Sequence, residues 1–125
     1  MADKLKVTFT TINIRNNGEW TGKGEIYYEL LVDDFQVDSI AKENPRKMSD
    51  GETLIVNLFH SVTKEPGQIL SIEGSVSEKD NLDKDEFATK KNQFTGAENW
   101  GIGTHNLNLR DGNLDVMVNY KIERQ

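Results

Sequence analysis

The sequence predicts an all-β fold, an antiparallel β-sandwich, and three observations carry that expectation. Apolar residues recur with a period of two through most of the chain. Turn clusters such as Asn16-Asn17-Gly18, Pro66-Gly67 and Asp111-Gly112 punctuate these runs at intervals. No segment sustains the 3.6-residue period of an amphipathic helix, and no repeat of 20–50 residues is visible. Uneven spacing and two long connections favour a sandwich over a barrel.

Leu5, Val7 and Phe9 share one face, and Ile12 and Ile14 continue in the opposite phase. The shift across Thr10-Thr11 reads as a β-bulge within the first strand. Glu19–Gly24 is loop. In the second strand Ile26, Tyr28, Leu30 and Val32 lie on one face and Tyr27, Glu29 and Leu31 on the other. Both faces are substantially apolar, as expected of a central strand. Gln36 to Lys47 fits either a short strand or one helical turn before Asn44-Pro45 breaks the pattern. Ser49-Asp50-Gly51 turns into a strand over Thr53–His60, and Pro66-Gly67 leads into another over Ile69–Ser77. There Leu70, Ile72 and Val76 face inward and Ser71, Glu73 and Ser75 outward. Glu78 to Gly103 reads as a polar loop anchored by Phe87, Phe94 and Trp100. The chain ends in a hairpin, with Leu107 and Leu109 entering the Asp111-Gly112 turn and Leu114, Val116, Val118, Tyr120 and Ile122 leaving it.

With 125 residues the expectation is a single domain, 1–125, large enough for a core without staples. No apolar run approaches the roughly 20 residues of a membrane-spanning helix. No apolar signal core follows Met1-Ala2-Asp3-Lys4, so a cytoplasmic location is expected. Cysteine is absent, which removes disulfides, thiol catalysis and thiolate metal sites. A formal charge of −6 opposes nucleic acid and bare anionic membrane, and favours cations where the acids converge.

The sequence gives little support to an enzyme. His60 falls on a strand and His105 beside the Gly101–Gly103 turn, neither near a nucleophile motif. A small hydrolase using paired carboxylates would need a cleft with two facing acids. The acids themselves are the informative feature. Glu78-Lys79-Asp80-Asn81-Leu82-Asp83-Lys84-Asp85-Glu86-Phe87 carries five carboxylates directly after a strand. It lacks the opening and the glycine of an EF-hand loop. Glu19 and Glu25 lie six residues apart on either side of a Gly-rich turn, Glu78 and Asp80 are two apart, and Glu86 lies six beyond Asp80.

In this spacing the chain resembles C2 domains, the β-sandwich calcium and membrane modules. Gly22-Lys23-Gly24-Glu25-Ile26-Tyr27-Tyr28-Glu29-Leu30 occupies the frame of the family's G-x-S-D-P-Y-V-K-V phrase. Glu78-x-Asp80 followed by Glu86-Phe87-Ala88 matches the D-x-D-x-x-x-x-x-D loop, and Leu5-Lys6-Val7-Thr8-Phe9 resembles the first strand. The resemblance runs from Leu5 to Ala88. Four of the five matched ligand positions are Glu where the family has Asp. Ile26 replaces the family's proline, and Ala88 the glycine that ends its third loop.

The resemblance implies a non-enzymatic, calcium-dependent binding module, with Glu19, Glu25, Glu78, Asp80 and Glu86 as ligands and Asp83 and Asp85 in reserve. Physical chemistry points the same way: loops joining two sheets cluster at one end, and crowded carboxylates there repel unless a hard cation accepts their oxygens. The resemblance further implies contact with phospholipid headgroups or a protein partner, with Trp20 and Lys23 at the loop tip. The alternative is a calcium-independent protein-interaction or structural subunit with a degenerate acidic site. Oligomeric state stays open; free sheet edges near Phe59 or in the terminal hairpin could pair with a second copy.

Overall fold

The computed structural model describes residues 2–18, 24–79 and 85–125. Glu19, Trp20, Lys23 and Asp80, together with the reserve Asp83, lie outside the described residues. Among the described residues the strands are β1 (Asp3–Asn17), β2 (Gly24–Val32), β3 (Phe35–Ile40), β4 (Arg46–Met48), β5 (Thr53–Lys64), β6 (Ile69–Glu78), β7 (Glu86–Thr95), β8 (Gly103–Asp111) and β9 (Leu114–Arg124). They form two antiparallel sheets. One has the order β5-β1-β9-β8; the other has β3-β2-β6-β7, with β4 pairing with the start of β2.

The core lies between the sheets. Period-two alternation delivers Leu5, Val7 and Phe9 from β1, Ile26, Leu30 and Val32 from β2, and Val116, Val118 and Ile122 from β9 into it. The register of β1 slips between Phe9 and Thr11 against both neighbours, so Ile12 and Ile14 also point inward. The slip is the bulge expected at Thr10-Thr11. β2 is central, flanked by β6 on one side and by β3 and β4 on the other. Inward on β6 come Leu70, Ile72 and Val76, with Gly74 between them. A Cβ there would sit 3.2 Å from Leu107 Cδ1 of the facing sheet.

Several expectations need correction. The stretch after Glu78 is not one long loop: Glu86–Thr95 is a full strand paired with β6 from Glu78↔Glu86 to Ile69↔Thr95. Its inward row is Ala88, Lys90, Asn92 and Phe94, too polar to give an alternation signal, yet ten consecutive backbone pairs hold it. Phe87 is therefore no core anchor; it sits on the outer row, 55% exposed. Phe94 is partly buried and Trp100 fully buried, as expected. Within Gln36–Lys47 the chain is strand in β3 and again from Arg46 in β4, joined by a turn over 41–45 in which the Asn44 N–H donates to the Ala41 carbonyl at 3.0 Å. β5 runs on to Lys64, and β6 one residue further to Glu78. In the terminal hairpin Asp111 pairs with Leu114, so the two turn residues are Gly112 and Asn113.

Because successive strands alternate in direction, four connections open at one end of the sandwich: β1 to β2, β4 to β5, β6 to β7 and β8 to β9. The register shows it, since Asn17 pairs with Leu114, Gly24 with Met48 and Glu78 with Glu86. The two acid-bearing loops therefore begin and finish at the same end.

Candidate functional site

The loop end is built from carboxylates that grip backbone. Asp50 accepts the Asn17 N–H at 2.8 Å, and the buried Asn17 amide donates to the Met48 carbonyl at 2.9 Å. Asp111 accepts the Phe87 N–H at 2.9 Å, and Glu86 Oε2 accepts the Leu114 N–H at 3.0 Å. The Glu86 carboxylate is also flanked by two glycines. A Cβ on Gly18 would come within 3.1 Å of Oε1, and one on Gly112 within 3.1 Å of Oε2. Gly18 and Gly112 have φ of +82° and +59°, in the left-handed region that favours glycine, so conformation and space both call for it at these two turns. Lys79 N–H donates to the Glu25 carbonyl at 2.8 Å, closing the ladder between β2 and β6 at their acidic ends.

The described candidate ligands divide between the two faces of one sheet. Directly paired residues on neighbouring strands point the same way, and Ile26, Glu78 and Glu86 form one such row across β2, β6 and β7. Ile26 is fully buried and Glu78 is 2% exposed, so Glu78 and Glu86 belong to the inner face. Glu25, one residue before Ile26 and opposite Lys47, takes the outer face. Asp85 is on the outer face too, where its Oδ2 accepts the Tyr27 hydroxyl at 2.8 Å and meets Lys42 Nζ at 3.1 Å. That carboxylate raises the Lys42 pKa through its hydrogen bond and charge, while burial raises the pKa of Tyr27. The strand ends flanking both stretches thus lie at one end of the sandwich, but of the four described acids the fold places Glu78 with Glu86 inside and Glu25 with Asp85 outside. Among the described residues no group of three or more His, Asp or Glu is disposed to hold a metal.

The remaining chemistry is sparse. His60 stacks on Phe35 with ring centroids 4.0 Å apart, and His105 lies between Phe94 and Tyr120 with Nε2 donating to the Gly101 carbonyl. Both are packing residues. One shallow groove of about 310 Å³ runs over the outer face of the five-stranded sheet, past Tyr27, Ser39, Ile40, Ser75 and Phe87. It has one lining carboxylate, Glu29, and the polar groove beside Thr10, His105 and Asn119 has none. Among the described residues neither groove is lined by two facing acids. The outer groove was not legible in the sequence, because it depends on β3 lying beside β2, and Gln36–Lys47 fits either a strand or a helical turn.

No family model matches the sequence, and no curated protein matches it. Solved structures do. The C2A domain of plant extended synaptotagmin 1 superposes with a TM-score of 0.55 at 10% identity, covering 98% of this chain and 94% of that one. The chain folds as a C2-like domain. A structure of CC2D1B matches with a TM-score of 0.54 at 13% identity over 97% of this chain and 54% of that one. Human GIVD cytosolic phospholipase A2 matches with 0.51 at 12% identity over 100% of this chain and only 18% of that enzyme. At such identities the likeness is one of fold. No helix among the described residues is long and apolar enough to cross a membrane.

Proposed function

We propose that this C2-like domain is a non-enzymatic binding module that acts through its acidic loop end in a calcium-dependent way. The observation that carries the reading is the Glu78–Glu86 pair. Glu78 and Glu86 are paired directly opposite each other on adjacent strands, with Glu78 2% exposed, at the end of the sandwich where β2 begins and β6 ends. Like charges directly opposite on neighbouring strands disfavour pairing, and a divalent cation between them would offset that repulsion. Their oxygens suit a hard divalent ion, and Glu19 and Asp80 from the adjoining loops would complete the six to eight ligands calcium takes. Glu25 and Asp85, on the outer face, are the weaker members of the ligand set. Bound calcium would supply positive charge toward phospholipid headgroups or an acidic protein partner, with Trp20 and Lys23 as contacts. The chain's own part is to hold Glu86 fixed through Leu114 and the two flanking glycines.

A thermal melt with and without calcium tests this. At a hundredfold excess over Kd, binding adds about 2.7 kcal/mol. For a chain of this length that is a rise in Tm of about 10 °C. Glu78→Gln and Asp80→Asn should abolish the rise and Glu25→Gln should keep it; no shift at millimolar calcium overturns the reading. Sedimentation with phosphatidylserine vesicles, with calcium or with chelator, then separates lipid from protein partners. The second reading, a calcium-independent interaction subunit, is favoured by a specific observation. Asp50, Asp111 and Glu86 all spend oxygens on backbone N–H groups, as structural clasps do. It expects melts unchanged by calcium and Glu86→Gln destabilised in either condition.

A further inference from the structure

The geometry points to a second binding site, apart from the loop end and independent of calcium. The groove on the outer face of the five-stranded sheet receives an arginine side chain from an extended segment of a partner protein. Charge on this face is the first observation. Glu25 lies opposite Lys47, Glu73 lies opposite Lys91, and Asp85 meets Lys42 at 3.1 Å. Glu29 has no such answer: it lies between Ser39 on β3 and Ser75 on β6, and among the described residues it makes no ion pair. It is also the one carboxylate that lines the groove. The second observation is a pair of aromatic walls. Tyr27, Ser77 and Phe87 form one row across β2, β6 and β7, and all three line the groove. Two strand spacings root the rings about 10 Å apart, with only the small side chains of Ser77 and Ser75 on the strand between them. A flat group touching a ring on each side needs about 7–8 Å. Tyr27 is held in place, because its hydroxyl donates to Asp85 at 2.8 Å. Asp85 also neutralises Lys42, the cation in the lining, so Glu29 sets the sign of the site.

These features choose the ligand chemistry. An unanswered carboxylate calls for a cation, and aromatic faces attract one. Guanidinium is planar, so it fits between two rings, and its paired N–H groups match both oxygens of a carboxylate. A lysine ammonium is a compact, strongly hydrated charge without a flat face. The quaternary ammonium of a choline headgroup has no N–H to give Glu29. Ile40 and Ala41 supply apolar lining on the β3 side, against which the methylene stem of an arginine can lie. A volume of about 310 Å³ is at the low end for ligand sites and suits one side chain with its flanking backbone. Gln36, Ser39 and Ser75 offer hydrogen-bonding groups to that backbone. One shallow contact of this kind makes a weak site, with Kd of about 0.1–1 mM.

Amide chemical shifts of the intact chain, titrated in chelator so that calcium plays no part, read the outcome. The probe is a blocked glycine-serine peptide with one central arginine. Amides of residues 27–29, 75–77 and 87–89 should shift and saturate. The same peptide with citrulline, planar but uncharged, should shift none of them, and its lysine version should bind at least threefold more weakly. Glu29→Gln should weaken the arginine peptide about tenfold, since it keeps the shape and removes the charge. Phe87→Ala should weaken it at least threefold and Phe87→Tyr should restore it. Phe87 is 55% exposed, so these variants should melt as the parent chain does. No shift at about 10 mM peptide overturns the proposal. So do equal binding of citrulline, full binding by Glu29→Gln, and shifts confined to amides outside the groove. Phosphocholine moving these amides while the arginine peptide leaves them still also overturns it, and assigns the groove to lipid. Each of these results leaves the calcium reading of the loop end untouched.

Discussion

Removing the Trp100 side chain should cost more than any other single truncation in the segment linking β7 to β8. Trp100 is 1% exposed and plugs the core from a kinked 3-10 segment, Gly96–Gly101. Asn99 and Trp100 there have φ of +53° and +56°. Its indole N–H donates to Asp3 Oδ2 at 2.9 Å, and Arg124 joins Asp3 at 2.6 Å, so one contact ties this segment to both chain termini. A tryptophan buries about 200 Å², worth about 5 kcal/mol at 25 cal/mol per Å² as an upper bound. Trp100→Ala should therefore cost about 4 kcal/mol, in line with large-to-small core truncations. Over 125 residues that lowers Tm by about 15 °C. Asp3 is a surface group, so the apolar contacts carry most of this loss and the hydrogen bond little. Trp100→Phe should retain more than half the stability that Trp100→Ala removes, and Asp3→Asn should change the midpoint only slightly. Urea melts followed by far-ultraviolet circular dichroism measure all three. If Trp100→Ala loses less than about 1 kcal/mol, or Asp3→Asn loses as much, burial is not what holds the segment.

Two further outcomes follow from local geometry. Asp33 and Asp34 form the β2–β3 turn with φ of +49° and +65°, a type I′ conformation in which the second position prefers glycine. Asp34→Gly should stabilise by about 0.5 kcal/mol, the relief of left-handed strain outweighing glycine's added freedom when unfolded. Asp33→Gly should do the reverse by about 1–2 kcal/mol. It loses the Ser71 N–H at 2.9 Å and Lys64 at 2.7 Å, and thermal melts distinguish the two signs. All three tyrosines have pKa values raised above 10.0, chiefly by burial, and Tyr28 the most, by burial first and by its donation to Asp38 second. A group whose folded pKa is raised stabilises below its unfolded pKa and loses that contribution as pH climbs toward the folded one. Stability should thus fall above pH 10. Phenolate absorbance should lag behind the ordinary tyrosine titration until circular dichroism reports unfolding, and free ionisation at pH 10 with the fold intact would contradict it.

What could be read from residues alone was set by how apolar each inward row is. β1, β2, β6 and β9 place Leu, Ile, Val and aromatic residues at nearly every inward position, so their phase, the β1 bulge and the sandwich were all legible. β7 was not, because its inward row holds Lys90 and Asn92, and Asn92 donates to the Tyr120 hydroxyl, 28 residues away, at 2.8 Å. Pairing with β6 makes Glu86–Thr95 a strand. Pairing supplied by a neighbour leaves no trace in local periodicity. Turn chemistry told where the terminal hairpin reverses but missed its register by one residue.

The same reasoning explains why the acids were half legible. Spacing in the sequence can bring loops to one end of a sandwich, since that follows from strand direction alone. It cannot say which face a side chain at a strand terminus takes until the register is known, because one residue of displacement moves it across the sheet. Glu25 precedes Ile26 by one position and goes outward; Glu78, opposite Ile26, goes inward and is buried. Glu-for-Asp replacement matters through the same geometry. A longer side chain rooted in the last pair of a ladder, as Glu86 is, can reach the hairpin beyond it, and there it takes the Leu114 N–H. An aspartate at that position would fall about one methylene short. Exchanging Glu86 for Asp therefore separates its two possible duties. Loss of stability without calcium marks the clasp, and a change confined to the calcium-dependent melting shift marks the ligand.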